Sequence, residues 1–509
     1  MDQNLRALLI YPAYPDTFWS FRHALKLIHK RATHPPLGLL TVASLLPRNW
    51  QLRILDLNVE PLTEAAVKDA DLILISAMSV QRDSADEVII KAKALGKKIL
   101  AGGPLFTSFW RDYEEKVDHL ILDEAEITLP RFLKDLDNGT PQRIYRAYGE
   151  YADLTQSPIP SYHLLNFTPY TSMCIQYSRG CPFNCEFCDV TNLFGHSVRT
   201  KTTEQVLREL ENLYHLGWRG SVFFVDDNFI GGKAKVKEDL LPALIKWQEA
   251  HKYPFYFYTQ VSINLADDEE LRKLMVKAGF NSVFIGIETP SEESLKEAKK
   301  RQNLNRDLVE NIQKIQKSGL EVMGGFILGF DQDPPDIFDR LIRLVQESKI
   351  IIAMVGLLNA PPGTKLYQRL QAEGRIKPLF KGDNTDLSTN IIPKMDYNLL
   401  LEGYKRVIRE LYNSKAYYRR IEAFLDNFPI KNYFRIDKNY LRFNYGYLLG
   451  LVKILIKFGL LEENRLYFWK IFLKALLKKR ESLSLILAQI ASGYHFREIF
   501  KEAFAGSRG

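Results

Sequence analysis

Residues 178–190 read Ser-Arg-Gly-Cys-Pro-Phe-Asn-Cys-Glu-Phe-Cys-Asp-Val, and the rest of the chain is arranged around this stretch. It holds three of the four cysteines, Cys181, Cys185 and Cys188, in C-x3-C-x2-C spacing. Three thiolates on one short loop can bind a single metal centre, and soft thiolate ligands select iron–sulfur clusters or zinc. A structural zinc site normally has four protein ligands, whereas three cysteines leave one iron of a [4Fe–4S] cluster open for chemistry.

Other interpretations of these cysteines remain open. A zinc ion could be bound by the three cysteines and His196, or the three residues could be ordinary thiols. The fourth cysteine, Cys174, lies in the strand-like run Tyr170–Tyr177 and is predicted to pack as a small apolar residue.

The cysteine spacing resembles the signature of radical S-adenosylmethionine (SAM) enzymes. This resemblance implies that Cys181, Cys185 and Cys188 are the metal ligands and carry the catalytic cluster. It also implies that SAM binds the fourth iron through its amino and carboxylate groups.

Length and composition predict a globular protein of two or three domains. The chain has 509 residues, 46% of them hydrophobic and 26% charged, with a formal net charge of +8. Four cysteines, three of them clustered, indicate a reducing compartment without structural disulfides. We find no leader peptide and no uninterrupted apolar run long enough to span a membrane, so we expect a cytoplasmic protein.

Residues 1–150 alternate between strand-like and helical patterns. The strand-like runs are Leu5–Tyr11, Leu52–Leu57, Leu72–Ala77, Lys98–Ala101 and His119–Leu122. Helical patterns lie between them at 35–47, 62–70 and 82–95, with another at 126–137. This alternation predicts a doubly wound α/β domain, of Rossmann or flavodoxin type, with ligands at the carboxyl ends of its parallel strands.

The order of these features resembles the cobalamin-binding domain that precedes some radical SAM domains. Ser76 and the pair Gly102-Gly103 fall at that domain's Ser-x-Leu and Gly-Gly motifs, which implies that they contact cobalamin. The Asp-x-His-x-x-Gly motif is missing after the first strand, which implies a cobalt without an imidazole ligand on its lower face. His34 precedes a helix, and we interpret it as a capping or pocket-lining residue.

Residues 151–169 read as a linker, and residues 170–375 as a radical SAM domain. Six βα units predict a partial (β/α)6 barrel with its reacting groups at the carboxyl ends of the strands. The resemblance implies that the element after the second strand meets the SAM amino group and that Glu288 accepts hydrogen bonds from the ribose hydroxyls. Arg199 and Lys201 could neutralise the SAM carboxylate through a charge-assisted contact. The predicted cofactor contacts in this domain are Phe187, Arg199, Asp226, Asp227, Asn228, Gln260 and Glu288.

Residues 376–509 are predicted to be mainly helical and are rich in aromatic and basic residues. The runs Tyr447–Leu461 and Leu466–Lys479 mix long apolar stretches with lysines. Such helices could lie on an anionic membrane surface, or they could form a bundle with solvated lysines. Nothing here resembles a nucleic-acid-binding fold.

Together these features resemble the group that holds the hopanoid C-2 methylase and the bacteriochlorophyll side-chain methylases. The resemblance implies a cobalamin-dependent radical SAM C-methyltransferase that acts on an unactivated carbon of a polycyclic lipid or tetrapyrrole. It also implies a reductant such as ferredoxin or flavodoxin. Two alternatives stay open: non-methylating radical chemistry on the same architecture, and an iron–sulfur or zinc-binding interaction protein. The tRNA methylthiotransferases share the radical SAM core but carry a second cluster in an N-terminal domain. No cysteine precedes Cys174 here, so we set that interpretation aside.

Overall fold

In the computed structural model, residues 4–378, 380–383, 385–430, 445–478 and 482–506 are described. The N-terminal part forms a six-stranded, entirely parallel sheet in the order β2-β1-β3-β4-β5-β6. Its strands are β1 (Arg6–Tyr11), β2 (Gln51–Asp56), β3 (Leu72–Ser76), β4 (Lys98–Gly102), β5 (His119–Ile121) and β6 (Ile144–Tyr145). Its helices are Arg22–Leu27, Leu37–Leu45, Glu64–Asp69, Arg82–Ala94, Pro104–Ser108, Trp110–Tyr113 and Ala125–Asp137.

The doubly wound prediction is confirmed, because both faces of this sheet are buried. On β1, Leu8 and Ile10 belong to one apolar core and Ala7 and Leu9 to another. Strands covered on both faces read as continuous apolar runs, which made five of them visible in the sequence. The two-residue strand β6 was missed because it is too short to show a pattern.

The central part forms a second parallel sheet of six strands in the order β12-β11-β10-β9-β8-β7, the predicted partial (β/α)6 barrel. Its strands are β7 (Ser172–Ile175), β8 (Gly220–Phe224), β9 (Phe255–Val261), β10 (Phe280–Glu288), β11 (Glu321–Leu328) and β12 (Ala353–Leu357). The helices around it are Val190–Phe194, Thr203–His215, Lys233–Lys235, Leu241–Ala250, Glu269–Ala278, Glu292–Glu297, Leu308–Lys317 and Ile337–Ser348.

The two sheets are held together by a short extended segment. The backbone N–H of Ser172 at the start of β7 donates to the carbonyl of Thr33 at 2.9 Å, and Ala32 forms a parallel bridge with Tyr170. One apolar core then continues from Leu9 in the first sheet to Met173 in the second. The N-terminal domain therefore lies against the edge strand of the barrel.

The C-terminal part is helical, as predicted, over the residues that the structure describes. Its helices are Lys365–Ala372, Tyr397–Tyr412, Ser414–Asn427, Tyr445–Ile456, Arg465–Lys478 and Leu483–Gly506, with a π-helical turn at Lys457–Leu461. Tyr412 donates to the carbonyl of Ala353 in β12 at 2.7 Å, and Phe496 stacks on Phe18 with centroids 4.0 Å apart. This region thus packs on both preceding domains.

Within those described segments, none of the helices is long and apolar enough to cross a membrane.

Candidate functional site

The three cysteines lie on one loop at the carboxyl-terminal edge of the barrel. Cys185 is buried, Cys181 and Cys188 are partly buried, and the three thiols lie near enough to interact electrostatically. Burial raises the pKa of Cys181 and raises that of Cys188 to about 12, while the backbone N–H groups of Phe183 and Val190 act in the opposite direction. Amides directed at thiols suit anionic sulfur ligands, so the loop fits a thiolate-bound cluster.

The zinc alternative finds no support in this geometry. Among the described residues, which include the three cysteines and His196, no three His, Cys, Asp or Glu side chains lie close enough together to bind one metal ion. A [4Fe–4S] cluster places each thiolate on a different iron, so it does not need this convergence. Cys174 packs in the core with a 3% exposed side chain, as predicted.

Glu186, between the second and third cysteines, fastens the loop to its surroundings. Its backbone N–H donates to the carbonyl of Ala298 at 3.0 Å, and its carbonyl accepts from the N–H of Leu366 at 2.9 Å. Its carboxylate is bonded by Arg369, with Nε 3.1 Å from Oε1. The loop is thus held by backbone and side-chain bonds, which preorganises the thiols.

The polar residues after β8 also support the loop. Asp226 is fully buried and accepts hydrogen bonds from the backbone N–H groups of Tyr177 (3.1 Å) and Ser178 (2.5 Å). Asp227 accepts from the N–H of Gly180 at 3.1 Å. Burial raises the pKa of Asp226 to about 7 and that of Asp227 to about 6. These carboxylates hold the residues that lead into Cys181.

Asn228 and Gln260, two further predicted SAM contacts at this edge, each accept a hydrogen bond from a neighbouring backbone N–H group. The Oδ1 of Asn228 accepts from the N–H of Ser262 at 3.1 Å. Gln260 is partly exposed on β9, and its carbonyl accepts from the N–H of Phe229 at 2.9 Å. The roles predicted for Asp226, Asp227, Asn228 and Gln260 at SAM stay predictions.

Glu288 occupies a special backbone position at the end of β10. Its φ is +68°, and the register with β11 shifts between Gly286 and Glu288. Its Oε1 accepts from Nζ of Lys300 at 2.7 Å, and both side chains are largely buried. The missing side chain of Gly286 leaves room for this pair, since a Cβ there would lie 3.0 Å from Nζ of Lys300. The role predicted for Glu288 at the ribose stays a prediction.

Sequence reasoning missed Lys300 and its neighbour Gln302. Lys300 interacts electrostatically with all three thiols and lies 6.0 Å from the ring centroid of Phe187, a predicted SAM contact. The Nε2 of Gln302 donates to Sγ of Cys185 at 3.7 Å. Both residues stand in the run Lys299-Lys300-Arg301-Gln302, which reads as a solvated charged turn and carries no local signal for this contact.

Arg199 has a partner in the N-terminal domain. Its Nη1 lies 2.9 Å from Oε2 of Glu124 and 2.7 Å from the carbonyl of Ala152. Arg179 donates to Glu124 at 2.8 Å and to Glu126 at 2.7 Å. In this structure the charge of Arg199 is therefore neutralised at the domain boundary, and its predicted contact with the SAM carboxylate remains untested.

The predicted cobalamin motifs come together at the carboxyl ends of β3 and β4. Gly103 has a φ of +89°, and a Cβ there would lie 2.8 Å from Oγ of Ser76. A Cβ on Gly102 would lie 2.7 Å from the carbonyl of Ile121. Only glycine fits both positions, because neighbouring protein atoms occupy the space that a Cβ would need. The contacts predicted between cobalamin and Ser76, Gly102 and Gly103 stay predictions.

The inner face of the barrel is aromatic and faces the N-terminal domain. Phe223 and Tyr258 stack with centroids 4.7 Å apart, and His34 bonds to the Tyr258 hydroxyl. Trp19 makes an edge contact with Phe284 at 5.4 Å. Burial lowers the pKa of His34 to about 4, so the imidazole is neutral. His34 thus lines the interior, in agreement with the pocket-lining interpretation.

Family models match three successive parts of the chain. A B12 binding domain matches residues 27–133, the radical SAM superfamily matches 175–345, and a domain of unknown function matches 364–508. The domain boundaries at 150, 169 and 375 stay predictions.

Relatives that match more than three quarters of the chain are found among curated proteins. An uncharacterized methyltransferase of Synechocystis sp. is 47% identical over 82% of this chain and 78% of its own length. The hopanoid C-2 methylase of Rhodopseudomonas palustris is 32% identical over 98% of this chain and 94% of its own. Bacteriochlorophyllide d C-12(1)-methyltransferase of Chlorobaculum tepidum is 24% identical over 78% of this chain and 87% of its own.

Among solved structures, the cobalamin-dependent S-adenosylmethionine radical enzyme OxsB with aqua-cobalamin bound shares the fold. Its TM-score is 0.61 at 15% identity, over 99% of this chain and 81% of that one.

Proposed function

This chain belongs to the family of cobalamin-dependent radical SAM methylases, which use a [4Fe–4S] cluster, SAM and cobalamin, and we propose that it methylates an unactivated carbon of a large apolar, polycyclic substrate. A polycyclic lipid and a tetrapyrrole are the two substrate classes in view. The names of two relatives, a hopanoid methylase and a bacteriochlorophyllide methyltransferase, support this range.

The aromatic inner face of the barrel is the observation that carries the substrate proposal. Trp19, Phe223, Tyr258 and Phe284 present flat apolar surfaces between the two domains. Trp19 is 38% exposed, so part of its indole ring stays open next to Phe284. Rings held rigidly at such a boundary favour a rigid, fused-ring molecule over a charged or flexible one.

We assign the cofactors to the residues that fit them. When bound, the cluster and SAM supply a hydrogen-abstracting radical, and cobalamin supplies the methyl group. Cys181, Cys185 and Cys188 would hold the cluster, Glu288 and the polar residues after β8 would orient SAM, and Ser76 with Gly102-Gly103 would hold cobalamin. The packing of Trp19 and His34 on the barrel would exclude water from the reacting carbon.

The substrate class also favours contact with a membrane. Exposed aliphatic side chains on the last helices include Val452, Ile456, Leu460, Leu461, Leu466 and Leu477. Lys453 and Lys470 are exposed on the same helices, whereas Lys479, Arg480 and the side chain of Lys478 lie outside the described residues. Apolar area next to lysines suits an anionic lipid surface, from which an apolar substrate could be taken.

A ferredoxin or flavodoxin would supply the electron that reduces the cluster.

Anaerobic reconstitution with iron, sulfide and hydroxocobalamin, followed by SAM and dithionite, tests the proposal. We expect bound cobalamin, a four-iron cluster, 5′-deoxyadenosine, and transfer of a labelled methyl group to a hopanoid or a chlorophyll-type tetrapyrrole. The Cys185→Ala variant should bind less iron, whereas Cys174→Ala should bind as much as the wild type. Deoxyadenosine without bound cobalamin would favour non-methylating chemistry, and failure to form either cluster or deoxyadenosine would refute the proposal.

A further inference from the structure

The turn that follows helix Glu292–Glu297 brings two polar side chains to the cysteine loop. Nζ of Lys300 lies 2.7 Å from Oε1 of Glu288 and interacts electrostatically with the thiols of Cys185 and Cys188. Nε2 of Gln302 donates to Sγ of Cys185 at 3.7 Å, within the range of hydrogen bonds to sulfur. An amide donor therefore contacts one of these sulfur atoms, and a cation lies beside the same loop, 6.0 Å from the ring centroid of Phe187.

The burial of these side chains shows that this is not a solvated turn. The Lys300 side chain is 13% exposed, whereas that of its neighbour Lys299 is 48% exposed. A buried ammonium costs several kcal/mol unless anions surround it. Glu288 supplies such an anion, since its Oε1 lies 2.7 Å from Nζ of Lys300.

Gln302 carries a second sign of ligand contact. Its amide oxygen is buried, and no hydrogen-bond partner for it occurs among the described residues. Buried amide oxygens are almost always bonded, so an orphaned one beside Cys185 leaves an acceptor for a bound group.

Net charge, hydrogen bonds to sulfur and solvent exposure set the reduction potential of an iron–sulfur cluster. We propose that Lys300 and Gln302 raise the reduction potential of the cluster by stabilising its reduced, more negative form. Reduction adds one electron from the external reductant and breaks no bond, and the ammonium of Lys300 favours it because it offsets the negative charge of Glu288. This rests on the proposal that Cys181, Cys185 and Cys188 hold the cluster.

The same geometry makes Lys300 a positioning residue for Glu288. The ammonium fixes one carboxylate oxygen of Glu288, whose backbone has a φ of +68° at the end of β10. Lys300 thus forms an ion pair with Glu288, the predicted ribose acceptor, and lies beside the loop of the cluster ligands.

The test is a potentiometric titration of the reconstituted protein, followed by electron paramagnetic resonance in the absence of SAM and substrate. Lys300→Met removes the charge at similar size, Lys300→Arg retains it, and Gln302→Leu removes the amide donor. Lys296→Met is the matched control, since this exposed lysine lies on the helix just before the turn. Iron and sulfide content is measured for every variant.

We expect the reduced-to-oxidised ratio of Lys300→Met to fall at least tenfold at a given potential, which lowers the midpoint by about 59 mV for a one-electron couple. Gln302→Leu should shift it less in the same direction, and Lys300→Arg and Lys296→Met should stay near the wild type. An unchanged midpoint in Lys300→Met at full iron content would overturn the inference.

If Lys300→Met does not retain the cluster, the midpoint potential of Gln302→Leu tests the inference instead. A midpoint potential equal to that of the wild type overturns the inference, and a lower one supports it. A wild-type protein that forms no cluster would refute the proposed function instead, so the two failures are distinguishable.

Discussion

Glu124 and Arg199 join the two α/β domains through a buried ion pair: Nη1 of Arg199 lies 3.0 Å from Oε1 and 2.9 Å from Oε2 of the carboxylate. The Glu124 side chain is 2% exposed, and Arg179 donates to the same carboxylate at 2.8 Å. Glu124 therefore bridges two arginines next to the cysteine loop, and Glu126, 2.7 Å from Arg179, supplies the second negative charge. This contact adds to the hydrogen bond between Ser172 and Thr33 and to the shared apolar core that join the two domains.

Glu124→Gln should lower the free energy of unfolding by about 3–5 kcal/mol, because it leaves buried guanidinium charge without its main partner. Glu115→Gln is the matched control, since Glu115 pairs with Arg143 and is 82% exposed, and it should cost less than about 1 kcal/mol. Urea unfolding followed by tryptophan fluorescence measures both. Equal effects of the two substitutions would contradict the interpretation of Glu124.

Gly286→Ala should weaken SAM binding at least tenfold, or about 1.4 kcal/mol, because the added methyl group displaces the Glu288–Lys300 pair. Gly38→Ala is the control, since nothing lies within 4 Å of a Cβ at that helical position. Equilibrium dialysis of SAM against the cluster-loaded variants gives the affinities. Wild-type affinity in Gly286→Ala would show that the pair does not orient SAM.

The pH dependence of stability should carry the signature of His495. Burial lowers the pKa of this imidazole to about 4, with its two nitrogens near the carbonyls of Thr17 and Phe18 and the N–H of His23. The pKa of a histidine in the unfolded chain is about 6.5. The contribution of His495 to the free energy of unfolding is therefore complete above that pH, and about 3 kcal/mol of it is lost as the pH falls toward 4.

His495→Gln should therefore flatten the decline in unfolding free energy between pH 6.5 and pH 4. The exposed His163 provides the control, and His163→Gln should keep the wild-type decline. Urea unfolding at pH 7, 6, 5 and 4 compares the three proteins. An unchanged slope in His495→Gln would rule out this histidine as the cause.

Membrane contact predicts that the protein sediments with vesicles of anionic phospholipid. Leu461 and Leu466 are exposed in the free protein and would be buried in the membrane, where each leucine contributes about 1.5–3 kcal/mol to binding. The double variant Leu461→Asp/Leu466→Asp should therefore lower the partition coefficient at least tenfold. Ile90→Asp/Leu399→Asp changes two exposed apolar residues on other helices, 68% and 52% exposed, and should have no effect. Equal losses in both double variants, or no binding by the wild type, would refute the contact.

Much of the architecture was predictable from local sequence. The spacing of Cys181, Cys185 and Cys188 indicated the cluster loop. The apolar runs predicted both parallel sheets, because buried strands leave a signal over four to eight residues. The correspondence of Ser76 and Gly102-Gly103 with known motifs was also visible. These features depend on neighbours in the chain, so the sequence by itself determined them.

The tertiary structure alone decided which side chains meet at the site. Gln302 reaches Cys185 across 117 residues of chain, and Arg199 finds Glu124 across 75. Lys300 reads locally as one more lysine in a basic turn, and Trp19 as an ordinary aromatic residue. Burial and charge neutralisation are properties of the assembled domains, and no periodicity along the chain encodes contacts formed at such separation.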